Sequence, residues 1–211
     1  MAPARPEKAA LIIVDVQNDF CPGGSLAVAE GDRVIPVINR IAGSLPVVVA
    51  TQDWHPADHV SFASRHRGKV PLDTATLGGV TQVLWPDHCV QGTKGAELHP
   101  KLDQRPIDLV LHKGTNRDRD SYSTFFENDR TTPTGLAYYL RGLECEELFL
   151  AGLATDYCVL YSALDAIRLG FRTTVILDAV KGVDQPPGSV EDALRQMKAA
   201  GVALCESREI L

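Results

Sequence analysis

Three residues of this 211-residue chain have the types and positions that nucleophilic chemistry needs: Asp15, Lys113 and Cys158. A thiol attacks a carbonyl carbon once a base removes its proton, and the same base can later protonate a departing amine. A carboxylate in a partly dry cleft performs both tasks, and that is the role open to Asp15. A lysine beside the pair holds the carboxylate ionised and draws the thiol toward thiolate, the role open to Lys113. A helix N-terminus at Cys158 adds to that pull. Taken singly, each has an ordinary alternative as a packed cysteine, a helix-capping aspartate or a solvated lysine. The small residues ahead of the cysteine, Gly152, Ala154 and Thr155, suit a turn that aims successive N–H groups at one point. Ala154 and Cys158 are the candidate oxyanion donors, with a plain strand-to-helix turn as the alternative.

A second set lies in a stretch rich in His and Asp. Asp53 and His55 stand two apart, so an extended segment turns them to one face, and His88 within WPDHC is a distant third donor. One carboxylate and two imidazoles suit zinc, iron or manganese, with water in the remaining positions. The alternative is a loop that is merely polar. His66, His99 and His112 are read as non-ligands. Phe20, Trp54, Trp85 and Tyr122 fall in loops rather than at core periods, where they either flank a flat ligand or anchor the loops. The chain has no GxGxxG, Walker or GxSxG motif, so dinucleotide, phosphate-loop and serine-hydrolase readings lack support.

The elements that must position these residues are written in the hydrophobic pattern. Residues 9–16, AALIIVDV, form a nearly continuous, β-branched run, the mark of a strand buried on both faces. Further strand-like runs occur at 47–50, 107–112, 148–152, 173–179 and 202–205. Helical periodicity falls between them, at 34–45, 135–143, 158–169 and 189–200. Alternation of this kind predicts a three-layer α/β/α sandwich around a six-stranded, mostly parallel sheet, because parallel strands need crossovers and the crossover helices cover both faces. Ligands in such sheets bind beyond the carboxyl ends of the strands. Asp15, Lys113 and Cys158 all stand at those ends. The whole chain, 1–211, reads as one domain with a long irregular excursion at about 52–108, and so long an excursion in a compact domain is usually functional.

Composition narrows the function classes. Hydrophobic residues make up 45%, enough for a substantial core. A formal charge of −6 and the lack of a basic stripe argue against nucleic acid and anionic membranes as partners, leaving a small molecule. Five scattered cysteines with no CxxC pair argue against a disulfide framework or a zinc ribbon and fit a reducing cytoplasm. Charges at Arg5, Glu7 and Lys8, and Asp15 within the first apolar run, argue against a signal peptide or membrane span. Homo-oligomerisation is left open.

The blocks VDVQNDFCPGGSL (14–26), TQDWHPADHVSF (51–62), WPDHCVQGTKGAELHP (85–100), KGTNRDRDSYSTFF (113–126) and GLATDYCV (152–159), taken together, closely resemble the nicotinamidases, a group of the isochorismatase-like cysteine hydrolases. The resemblance implies Cys158 as nucleophile, Asp15 as acid/base and Lys113 as the third triad member. It implies Asp53, His55 and His88 as ligands of one divalent ion, zinc first with iron or manganese as alternatives, and Phe20, Trp85 and Tyr122 as pocket aromatics. The ion in this family is held to orient the pyridine nitrogen. The implied activity is hydrolysis of nicotinamide to nicotinic acid and ammonia through a thioester, a step of NAD salvage, with pyrazinamide as a second substrate. A cis peptide between Leu153 and Ala154 is implied as well. His59 is an additional ligand in some members. Tyr157 stands where some carry histidine, and Asn116 where a proline is common.

Overall fold

The computed structural model describes residues 7–210, so Arg5 of the N-terminal charge argument lies outside the described residues. Strand β1 (Ala9–Val14) is buried at all six positions. It is flanked by β2 (Val47–Asp53) and β6 (Glu147–Leu153); β5 (Leu109–Lys113) lies outside β2, and β7 (Arg172–Lys181) and β8 (Ala203–Cys205) extend beyond β6. All six strands run parallel, as the alternating pattern predicts. The chain steps outward from β1 through β2 to β5, then crosses back to β6 on the other side of β1. That reversal opens a crevice between β1 and β6 at their carboxyl ends, the place where parallel sheets bind ligands.

Alternate residues of β1 feed two cores, as the two-residue period of a strand requires. Leu11 and Ile13 join Val34, Ile35, Ile38 and Ile41 of helix α1 (Val34–Ala42) on one face. Ala10, Ile12 and Val14 meet helices α2 (Leu136–Gly142), α3 (Leu160–Arg168) and α4 (Ser189–Ala199) on the other. Where β1 and β6 end, Val14 is the register partner of Gly152. Gly152 has φ +114°, and a Cβ there would sit 2.0 Å from the Val14 carbonyl oxygen, so only glycine lets the two strand ends close.

Two local features differ from the sequence reading. The excursion contains an antiparallel hairpin, β3 (Thr74–Leu77) and β4 (Val80–Val83), turned by Gly78 and Gly79, both at positive φ. Its strands are short and largely exposed, which left no apolar alternation to read. Cys158 does not begin the α-helix: a π-helical turn, Thr155–Val159, intervenes and α3 starts at Leu160. No helix of the described residues is long and apolar enough to cross a membrane.

Candidate active site

Asp15 follows β1 at once, with φ +49°, a left-handed conformation that aspartate tolerates better than most residues. Its N–H donates to Thr51 Oγ1 (3.2 Å), and the Thr51 hydroxyl in turn donates to Asp15 Oδ1 (2.7 Å). Oδ2 lies 2.8 Å from Lys113 Nζ as an ion pair but receives no hydrogen bond of good angle. Lys113 ends β5 opposite Asp53 in register, and β2 separates it from β1. Its four-carbon stem therefore spans the end of β2, bringing Nζ to 2.5 Å from Asp53 Oδ1, 2.9 Å from the Ser121 carbonyl and 3.5 Å from Cys158 Sγ. Donor atoms of Asp15, Asp53 and Cys158 all lie within 4.8 Å of one another. The structure thus brings together the three residues that the strand ends nominate.

The turn that carries Cys158 is fixed from outside. Asp156 accepts the N–H groups of Val183 and Asp184 (2.9 Å each) and the Ser189 hydroxyl (2.6 Å), tying the turn to the segment after β7. Ala154 gives its carbonyl to the N–H groups of Tyr157 and Val159, both at 3.1 Å. The Leu153–Ala154 peptide is cis, as the resemblance implies.

Asp53, His55 and His88 converge as well, their donor atoms within 4.8 Å of one another and all three side chains buried. His55 pairs Nδ1 with the Gly114 carbonyl (2.8 Å) and His88 pairs Nδ1 with the Pro86 carbonyl (2.8 Å). A carbonyl accepts only from an N–H, so both rings carry the proton on Nδ1 and turn a lone pair at Nε2 toward Asp53 Oδ2, at 3.6 and 3.9 Å. His55 Nε2 is buried without a hydrogen-bond partner. An orphaned imidazole nitrogen facing a carboxylate, its other nitrogen anchored by backbone, fits a divalent cation. Gly114 is required here: at φ +61° it has no Cβ, which would otherwise lie 2.4 Å from His55 Cε1. His59 stands beside this set, stacked on His55 at 4.1 Å between ring centres. Its Nδ1 faces Ser61 Oγ (2.7 Å) and its Nε2 the Arg119 carbonyl (3.2 Å), and it groups with His55 and Asp120 instead. His66, His99 and His112 belong to no such group among the described residues.

Asp53 joins the two constellations, one oxygen on Lys113 and the other facing the imidazoles. Burial disfavours its charge, but the Lys113 ammonium lowers its pKa and holds it ionised. For Lys113 burial works against the ammonium, and Asp15 and Asp53 push its pKa well above the usual lysine value. Burial raises Asp15 to about 6, with Lys113 opposing and Asp53 reinforcing. Burial also carries the Cys158 thiol well above its ordinary value; Lys113 pulls it down and Asp15 and Asp53 push it up. The pull of Lys113 toward thiolate, expected from the sequence, is thus opposed by burial and by the two carboxylates. His88 is lowered by burial and by its neighbour His55 to about 4. For His55 burial opposes the charge and Asp53 raises the net value.

The aromatics divide between two sides. Phe20 packs on His88 at 5.5 Å between ring centres. Trp85 donates its indole N–H to Tyr122 Oη (3.0 Å) and meets Tyr157 edge-on at 4.8 Å. Trp54 stacks on His112. Sequence reasoning missed Gln17, whose amide accepts the Asp53 N–H and donates to the Asp53 carbonyl, each at 2.8 Å, gripping that residue's backbone. It also missed Thr51, Gly114 and Asp120. Gln17, Thr51 and Gly114 have no reactive type, and Asp120 is one of several acids in its loop, Asp118 among them, so only position in the fold exposes them.

A buried thiol, a carboxylate and an ammonium meet at the switch point of the parallel sheet. The family model described as Isochorismatase domain matches residues 9–209, and the chain belongs to that family. A nicotinamidase of Acinetobacter baylyi is 52% identical over 202 residues, covering 96% of this chain and 94% of that protein. The solved structure of a nicotinamidase/pyrazinamidase of Acinetobacter baumanii superposes with a TM-score of 0.96 at 49% identity, covering 98% of this chain and all of that one. A pyrazinamidase of Pyrococcus horikoshii in complex with zinc superposes with a TM-score of 0.76 at 40% identity, over 95% and 99% of the two chains.

Proposed function

We propose that this chain hydrolyses nicotinamide to nicotinic acid and ammonia in two half-reactions, with pyrazinamide as a second substrate. The observation that carries the reading is Lys113 Nζ, in ion pairs with both Asp15 and Asp53 and 3.5 Å from Cys158 Sγ, next to a buried Asp/His/His donor set. Asp15 takes the thiol proton as Cys158 Sγ attacks the carboxamide carbon. The N–H groups of Ala154 and Cys158 stabilise the developing oxyanion. As the C–N bond breaks, Asp15 passes the proton to nitrogen, ammonia departs and a thioester remains. Asp15 then takes a proton from water, whose oxygen attacks the thioester carbon; the acid leaves and the thiol recovers its proton. Throughout, Lys113 holds Asp15 in place and balances the two carboxylates.

Asp53, His55 and His88 would hold one divalent ion, zinc by analogy with the Pyrococcus relative, with iron or manganese as alternatives. Such an ion would act as a Lewis acid toward the ring nitrogen. Phe20, Trp85 and Tyr122 confine the flat ring.

The test is ammonia release from nicotinamide, run with the metal-loaded protein, with Cys158→Ala and with a chelator-treated sample. Release that is lost in the variant and reduced by chelation supports the reading. A folded, metal-loaded protein that releases no ammonia contradicts it.

A further inference from the structure

A second cleft of about 160 Å³ opens on the far side of the aromatic cluster, between hairpin strand β4 and helix α3. None of Asp15, Asp53, His55, His88, Lys113 or Cys158 lines it, although Tyr122 and Tyr157 form part of its wall. Its polar groups give it a definite preference. The Tyr122 N–H donates to Asn128 Oδ1 (2.9 Å), which fixes the Asn128 amide, and Asn128 Nδ2 then donates to Gln82 Oε1 (2.9 Å). That chain leaves Gln82 Nε2 as the unused donor: Gln82 is only 8% exposed, and this nitrogen is buried with no partner. An unsatisfied buried amide donor costs about 1–3 kcal/mol, which an acceptor from a ligand recovers.

The charges point the same way. Glu127 is paired at 2.8 Å with Arg119, which Asp129 shares at 3.0 Å, and Asp165 with Arg168 at 3.2 Å, so each acid of the cleft already has a cationic partner. Arg130, the cation of the lining, makes no ion pair among the described residues and lies over the Tyr161 ring at 5.5 Å. Tyr161 in turn stacks against Tyr122 at 5.3 Å. An unpaired guanidinium, an unused amide donor and aromatic walls together suit a flat ring bearing an anionic acceptor group.

We infer that this cleft is a binding site for an aromatic monocarboxylate, separated from Cys158 by the Tyr122–Tyr157 wall. Arg130 and Gln82 take the carboxylate, and the stacked pair of Tyr122 and Tyr161 forms one wall against which the ring packs. The inference goes beyond the proposed reaction and rests on the lining alone, although the acid product of that reaction belongs to the same chemical class.

Benzoate is the probe, because it carries the carboxylate without a pyridine nitrogen, and benzamide is its neutral counterpart. Calorimetric titration of the full-length, metal-loaded protein is expected to show benzoate binding at least tenfold tighter than benzamide. Benzoate affinity should fall at least tenfold in Arg130→Ala and in Gln82→Leu and should survive removal of metal by chelation. Arg130 is exposed, so its variant keeps the test sound even if Gln82→Leu fails to fold. Equal affinity for the two probes, an unchanged affinity in Arg130→Ala, or loss of binding on chelation would overturn the inference, the last by placing benzoate at the metal set. Ammonia release by the native protein is read separately, so failure here and failure of the proposed function are distinguishable.

Discussion

The sheet edge and the irregular excursion supply the two halves of the site by different means. Asp15 and the Cys158 turn are placed by parallel strands buried on both sides, and Lys113 by the half-exposed edge strand β5; register fixes each position, Val14 against Gly152 and Asp53 against Lys113. His55 and His88 come from chain with little regular structure, and their rings are aimed by single contacts to the Gly114 and Pro86 carbonyls. Isolated bridges, His55 to Val90 and Phe62 to Trp85, hold that chain down. On the proposed reading, the contrast teaches that bond-making groups gain their precision from a continuous sheet, whereas the imidazoles of the ion-binding set depend on a few replaceable hydrogen bonds. Asp53 is the hinge of the comparison, since it ends β2 and faces both sets.

The comparison breaks most sharply at the nucleophile. Cys158→Ala is expected to lower amide turnover by about 10⁴-fold or more, as loss of a covalent nucleophile does, while metal content and circular dichroism stay native. Next in size is Lys113→Met, which leaves Asp15 and Asp53 buried without their shared cation. Removing one member of a buried ion network costs about 3–5 kcal/mol, to be read as a lowered midpoint in denaturant titration. On the excursion side, Gly114→Ala drives a Cβ into His55. Disturbing the group that orients a metal ligand typically costs about 10–100-fold in affinity, measurable by competition with a chromogenic chelator, and the thiol should be untouched. The gentlest probe is pH. Asp15 must be ionised to accept the thiol proton, and its value of about 6 lies well above that of an ordinary aspartate. Falling pH protonates it, so kcat/KM is expected to drop about tenfold per unit below that value and to level off above it. A profile that is flat down to pH 5 would remove Asp15 from the base role.

Legibility in the sequence follows the same division. The continuous apolar runs at β1 and β6 announced buried parallel strands, and their ends nominated Asp15 and Cys158, because a sheet buried on both faces imposes a pattern on nearly every residue. The hairpin at 74–83 left little trace, since its short, exposed strands carry no burial signal. Asp53, His55 and His88 were legible by residue type, but the carbonyls that aim the two rings were not, for backbone acceptors have no sequence signature. The surroundings of Cys158 were half legible for a related reason: the charge of Lys113 is visible in sequence, whereas the burial that opposes it emerges only from packing.

The most direct test of the division of labour is to run nicotinamide hydrolysis in the presence of hydroxylamine. If the sheet edge makes the bond, a thioester on Cys158 is intercepted and the hydroxamate appears beside the acid, in the same ratio when the starting material is a nicotinate ester, and neither product forms in Cys158→Ala. Acid formed at full rate with no hydroxamate would mean that water attacks the amide directly, and the assignment of bond-making to the triad would be contradicted.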